Sequence, residues 1–280
     1  MDFVKMHGLG NDFVFIEEKT GQDKDYTALA RAMCNRHTGI GADGLIVIVD
    51  SRVADVRMRI INSDGSEAEM CGNGIRCFAK YVYDSGIIEK KQFTVETPAG
   101  IMEPEITVGA DNKAELITIN MGRPSFNRSE IPMEGTDGRV LNEDLCVDGE
   151  NWKITSLLMG VPHTVTYVDD VDSVDIEKIG PLFEKHEAFP KHTNINFAQQ
   201  MDDRTVKVRT WERGAGATLA CGTGSCSVAV ASFLNGRTGR EVDIQLPLGT
   251  LHIEYREEDG NVYMTGPAAV SFTGTWPDET

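Results

Sequence analysis

The alternation of apolar and polar positions divides this chain into short strands and a few helices. Residues 3–17 read as a strand, a glycine turn at Gly8-Leu9-Gly10 and a second strand. Residues 26–35 put Leu29, Ala30, Met33 and Cys34 on one side of a short amphipathic helix. A glycine-rich loop at 38–44 leads into strands at 45–49 and 57–61, followed by a loop at 62–67. Ile75, Phe78, Ala79, Val82 and Tyr83 then follow the i, i+3, i+4, i+7, i+8 spacing of a one-faced helix, and Gly86 is placed to end it. Residues 225–235 are apolar nearly all round, which predicts a helix buried on most sides and ended by Gly236. Strand-turn units follow at 94–100 and 243–249. The stretch 126–151 is polar, with Pro132, Gly135, Gly138 and Gly149, and reads as irregular. Residues 157–165 open the second half as strand and turn, 169–175 form an acidic surface loop, and 262–268 are a last strand. The tail at 276–280 is expected to fray.

One part of this pattern occurs twice. Arg59, Cys71, Gly72, Gly74 and Gly86 recur 150 residues later as Arg209, Cys221, Gly222, Gly224 and Gly236; Pro98 and Gly100 recur as Pro247 and Gly249 at an offset of 149. A phase held over about 40 residues argues for two halves on one plan. A length of 280 residues accommodates two ordinary domains.

Composition narrows the function. The net charge of −17 and pI near 4.7 disfavour nucleic acid and anionic membranes as partners. No run approaches 18 apolar residues, and the N-terminus lacks the charge and hydropathy pattern of an export signal, so the expected location is cytoplasmic. The six cysteines are therefore read as reduced thiols. Their spacings are poor for zinc, and the glycines of the first turn do not make a nucleotide loop, so neither metal nor cofactor is expected.

The chemistry sits at the repeated Cys-Gly-x-Gly. Each cysteine immediately precedes a predicted helix, where a helix start can lower a thiol pKa from roughly 8.5 to below 7.5. Exposed N–H groups at the same place make a cradle for a carboxylate. If the halves faced each other, one thiolate could remove a Cα proton while the opposite thiol protonated the other face. Cys34, Cys77, Cys146 and Cys226 read instead as packing residues. A fold-building repeat would explain the glycines, but it would not require cysteine in both copies.

The motifs around these cysteines resemble the diaminopimelate epimerase family over nearly the whole chain. They include Met6-His7-Gly8-Leu9-Gly10-Asn11-Asp12-Phe13, Asn62-Ser63-Asp64-Gly65-Ser66, Cys71-Gly72-Asn73-Gly74, Pro162-His163, Asn194-Ile195-Asn196-Phe197, Glu212-Arg213-Gly214-Ala215-Gly216 and Ala220-Cys221-Gly222-Thr223-Gly224. The resemblance implies an α/β (α+β) fold of two pseudo-symmetric domains, each a β-barrel-like mixed sheet wrapped around a central helix. The domains would be 1–122 plus 267–280, and 123–266, with the site in the cleft between them. It implies a cofactor-independent isomerase of lysine and peptidoglycan precursor biosynthesis that interconverts LL- and meso-diaminopimelate, as a homodimer. Cys71 and Cys221 would be its acid/base pair. Gly72, Asn73, Gly222 and Thr223 would hold the reacting carboxylate. Asn11, Asn62, Asn194, Glu212 and Arg213 would bind the remaining polar groups, and His163 and Glu212 would orient or tune the thiols. Two positions depart from the family pattern: Val161 stands where Asn is common, and Gly44 where some members carry a side chain that can cross between subunits. Two other readings stay open at this level. One is a racemase of another amino acid, such as histidine, on the same fold; the other is a module that binds an amino acid without turning it over.

Overall fold

The computed structural model describes residues 1–18 and 24–277. It divides into two compact units. Unit 1 comprises 1–119 and 266–280, and unit 2 comprises 120–265.

Unit 1 opens with an antiparallel pair, β1 (Asp2–Gly8) and β2 (Asn11–Glu17). The turn between them needs left-handed backbone at Leu9 (φ 55°) and Gly10 (φ 95°). Helix α1 (Tyr26–Met33) crosses over so that β3 (Gly44–Val49) runs parallel to β2. Next come β4 (Val56–Asn62), the short β5 (Glu67–Ala68), helix α2 (Gly72–Asp84), β6 (Val95–Thr97), β7 (Gly100–Met102), β8 (Glu105–Val108) and β9 (Ala114–Asn120).

Unit 2 contains β10 (Val140–Val147), β11 (Glu150–Met159), β12 (Val161–Tyr167), helix α3 (Ile176–Glu184), β13 (Asn194–Gln200), β14 (Thr205–Glu212), β15 (Gly216–Thr218), helix α4 (Gly222–Leu234), β16 (Glu241–Leu246), β17 (Gly249–Tyr255) and β18 (Val262–Gly266). The chain then returns to unit 1 as β19 (Ala269–Thr275). The unit 1 sheet runs β19-β1-β2-β3-β4-β6-β7, and the unit 2 sheet runs β10-β11-β12-β13-β14-β16-β17-β18.

The repeat is visible element by element. The parallel pair β2–β3 corresponds to β12–β13, and α1 to α3. Helices α2 and α4 are each 13 residues long and start 150 residues apart. Each is the helix around which its sheet packs. Ile75, Cys77, Phe78, Ala79 and Val82 of α2 are buried, and in α4 every residue from Gly224 to Ser232 is. Ser85 and Asn235 are the C-caps, and Gly86 (φ 78°) and Gly236 (φ 66°) supply the left-handed residue after each.

Three sequence expectations change. Within the polar stretch 126–151, residues 140–147 and 150–151 are strand, because Asp148 (φ 55°) and Gly149 (φ 79°) form a tight hairpin turn joining β10 to β11. The stretch looked irregular because β10 buries only three of its eight residues. The strand ending at Gly266 is not the last; β19 follows and pairs along β1 from Asp2↔Thr275 to His7↔Ala269. The fraying expected at 276–280 falls partly outside the described residues; Trp276 itself is anchored, its N–H donating to the Met1 carbonyl at 2.7 Å.

Candidate active site

Cys71 and Cys221 are the N-caps of α2 and α4. Each has extended backbone (φ −143°, ψ 120° and φ −117°, ψ 111°), and each Sγ accepts the third helical N–H, from Gly74 and Gly224, at 3.4 Å. Helix stability does not call for this. Ser, Thr, Asp and Asn are the residues that cap best, by about 1 kcal/mol over residues that cannot accept this N–H. Two equivalent caps both carry thiols instead. With the third N–H directed at sulfur, the first two helical amides, those of Gly72 and Asn73 and of Gly222 and Thr223, are the ones the carboxylate cradle would use.

The two thiols have different neighbours. Around Cys71, the thiol donates to Asn11 Oδ1 at 3.5 Å, and Asn73 Nδ2 donates to the same oxygen at 3.2 Å. Asn11 Nδ2 donates to Asp43 Oδ2 at 2.6 Å. Asn73 Oδ1 accepts from the fully buried Arg76, whose other nitrogens reach Gly72 O (3.1 Å) and Pro267 O (3.4 Å). A guanidinium only donates and a carboxylate only accepts. Arg76 and Asp43 therefore orient both amides between them, and an oxygen, not an NH2, meets the Cys71 thiol.

Around Cys221, the thiol donates to Glu212 Oε2 at 3.1 Å, while Glu212 Oε1 accepts from Thr218 Oγ1 at 2.5 Å. Thr223 Oγ1 lies 3.6 Å from Cys221 Sγ and 3.0 Å from His163 Nε2. His163 is completely buried, and Asn196 Nδ2 faces its Nδ1 at 3.3 Å. The Asn196 amide is oriented by the Thr164 carbonyl on one side and the Thr210 hydroxyl on the other. Its NH2 thus meets Nδ1, while Nε2 faces the Thr223 hydroxyl and, at 3.4 Å, the NH2 of Asn194. Burial, with the nearby Arg213 charge adding to it, lowers the His163 pKa to about 3, so this imidazole is neutral.

The helix start does not win at Cys221. Burial raises its pKa well above the ordinary thiol value, and the Glu212 charge raises it further; the Thr223 and Gly224 hydrogen bonds act the other way. A helix start supplies about half a positive charge, which full desolvation beside a carboxylate outweighs. Here the expectation of a lowered pKa is corrected: the proton sits on sulfur, directed at Glu212.

Other predicted residues hold backbone. Asn194 Oδ1 accepts from Arg213 N at 2.7 Å, its Nδ2 donates to Pro162 O at 3.1 Å, and Arg213 Nη1 donates to Lys191 O at 2.7 Å. Asn62, at the end of β4, donates to Ser66 Oγ at 3.0 Å. In unit 2, Cys221, Thr223, Glu212, His163, Asn194 and Arg213 form one connected set. Sequence reasoning missed Asp43, Arg76, Thr218 and Asn196; only the i, i+3 spacing of Asn73 and Arg76 offered a signal. Among the described residues, no cluster of three or more His, Cys, Asp or Glu is arranged to hold a metal.

Fold and site define a two-unit protein whose equivalent halves each present a cysteine at the start of a central helix. The same fold occurs in a PhzF-family phenazine biosynthesis protein from Bacillus anthracis (TM-score 0.71, 17% identity, 98% of both chains) and a probable proline racemase from Agrobacterium radiobacter (TM-score 0.69, 16% identity, 99% of this chain and 93% of that one). Sequence goes further: the diaminopimelate epimerase family pattern matches residues 3–127 and 155–271. The chain is 50% identical over 283 residues, covering all of both proteins, to the diaminopimelate epimerase of Pelotomaculum thermopropionicum. It is 47% identical over 274 residues to that of Methanococcus maripaludis, covering 98% of this chain and 99% of the relative. The chain belongs to the diaminopimelate epimerase family.

Proposed function

We propose that this chain is an isomerase that interconverts LL- and meso-diaminopimelate by moving one Cα proton between Cys71 and Cys221. The observation that carries this reading is the pair of thiols at N-caps where helix stability favours other residues. In each turnover one sulfur, as thiolate, takes the Cα proton, and the other, as thiol, delivers one to the opposite face. One proton leaves and one arrives, and the two sulfurs exchange protonation states. Charge developing in the substrate carboxylate is met by the amides of Gly72 and Asn73 and of Gly222 and Thr223. Glu212 is placed to receive the Cys221 proton when that sulfur must act as base. Arg213 suits a distal carboxylate, and Asn11, Asn62 and Asn194 suit the remaining amino and carboxyl groups. The reaction uses only groups of the chain.

The test is proton NMR of LL-diaminopimelate with reduced enzyme in deuterium oxide. Loss of the Cα proton signal together with appearance of the meso isomer is expected. Folded, reduced protein that leaves the substrate unchanged would overturn the reading. Cys71→Ser and Cys221→Ser should each lower turnover by at least about a hundredfold. Because serine caps well, neither should lower the melting temperature; unchanged turnover in both would refute the thiol assignment. A cytoplasmic homodimer is the finer reading of location and assembly. It is supported by the family and is compatible with the described residues containing no helix long and apolar enough to cross a membrane. Light scattering should give twice 30.8 kDa.

A further inference from the structure

The loop carrying Glu212 and Arg213 is held by a residue that has no assigned role. Glu184 is the last residue of α3, and only 6% of its surface is exposed. One of its carboxylate oxygens accepts from Trp211 Nε1 at 2.7 Å, and the other from Gly214 N at 3.3 Å. Trp211 and Gly214 are the residues on either side of the Glu212-Arg213 pair. His192 faces the same carboxylate at 3.7 Å from the solvent side.

The surroundings are built for this clamp. The Trp211 ring lies so close over α3 that a Cβ at Gly180 would come within 2.6 Å of it. Gly214 takes φ 79°, turning its N–H back toward the helix. Glu212 has other supports: its pairing with Gly216 and the Thr218 hydroxyl. Arg213 lies beyond the strand ladder, so its backbone placement depends on the clamp and on Asn194, while the Lys191 carbonyl holds its guanidinium.

Unit 1 has a counterpart with different chemistry. Helix α1 begins 150 residues before α3, and Arg31 Nε and Thr27 Oγ1 hold the carbonyls of Asp64 and Gly65, in the loop that follows Asn62. In both units the crossover helix grips the loop that follows the strand at the site. In unit 2 the grip is a single buried carboxylate on both flanks of the pair.

We infer that Glu184 is a positioning residue that sets Arg213 for the distal end of the substrate. This rests on the substrate reading above, in which Arg213 meets that end.

The test compares Glu184→Gln and Trp211→Phe with the wild-type enzyme, following diaminopimelate epimerisation at saturating and limiting substrate. The glutamine keeps the shape of Glu184 but has one acceptor oxygen in place of two. The phenylalanine keeps an aromatic ring over Gly180 and removes the indole donor, so one of the two variants remains usable if the other fails to fold. KM should rise between about tenfold and a hundredfold, with kcat within about twofold of wild type. Glu184→Asp, which retains both oxygens, should recover part of the loss. A purely structural role predicts a lower melting temperature with KM unchanged in the folded fraction, and that result would overturn the inference. Wild-type enzyme inert toward diaminopimelate would instead fault the substrate reading, a separate outcome.

Discussion

His163 has no exposed surface, and its Nε2 faces the Thr223 hydroxyl. Its pKa falls from the usual 6.5 to about 3, through burial first and the Arg213 charge second. Below pH 6.5 the unfolded chain protonates this imidazole and the folded chain does not. Its contribution to stability is therefore complete above pH 6.5 and is lost as pH falls from there toward about 3. The slope from this one group approaches 1.4 kcal/mol per pH unit, roughly. Urea unfolding at pH 7, 5.5 and 4.5 should show stability falling more steeply in wild type than in His163→Gln; parallel curves would contradict a neutral, buried imidazole. Arg76 illustrates a different residue-scale point. Helical spacing puts it off the apolar face of α2, but the sheet wraps the helix on that side too, so its guanidinium is buried and its bonds go to Gly72, Asn73 and Pro267.

The two central helices share length and caps but differ in how tightly they are held. A Cβ at Gly224 would lie 2.6 Å from Asn196 Oδ1 and 3.2 Å from Cys221 Sγ. At Gly74 the nearest atoms are the flexible Ile46 Cδ1 at 3.3 Å and Cys71 Cβ at 3.4 Å. Gly224→Ala must displace Asn196, which orients His163. It should destabilise unit 2 by about 1–3 kcal/mol and lower turnover. Gly74→Ala gains up to about 1 kcal/mol of helix propensity against a softer contact, so it should be close to neutral for stability. Thermal melts and initial rates of the two variants check this; equal effects would mean the helix starts are equally packed.

Across the whole molecule the repeat is structural, while the side chains on it are deliberately unequal. Equivalent positions 150 apart carry Asn11 and Val161, Gly44 and Asn194, Asn62 and Glu212, Cys34 and Glu184, and Arg76 and Cys226. Val161 and Gly44, the two departures from the family pattern, each lie opposite a polar residue in the other copy. The chain also crosses between units twice, and unit 1 is completed only by its C-terminal segment. β19 pairs along β1, its Phe272 packs edge-on against Phe3 at 6.0 Å, and Pro267 accepts from Arg76. A chain ending at Gly266 should therefore lose more than about 10 °C in melting temperature through unit 1. Scanning calorimetry should show the low-temperature transition; an unchanged melt would mean that unit 1 closes without β19.

The sequence by itself determined the repeat, the two central helices with their glycine stops, and both thiols at helix starts, because periodicity and capping are local properties. It also carried the motifs that place the chain in its family. Strands β10 and β19 escaped it because both lie at sheet edges, where exposed polar positions blur the period. Tertiary structure alone decided which of the two thiols Glu212 would meet, that Asn11 would turn an oxygen to Cys71, and that Glu184 would grip the residues around Arg213. These outcomes join groups up to 60 residues apart in sequence. Desolvation likewise arises only when the sheets close around their helices: burial outweighs the helix start at Cys221 and keeps the His163 imidazole neutral.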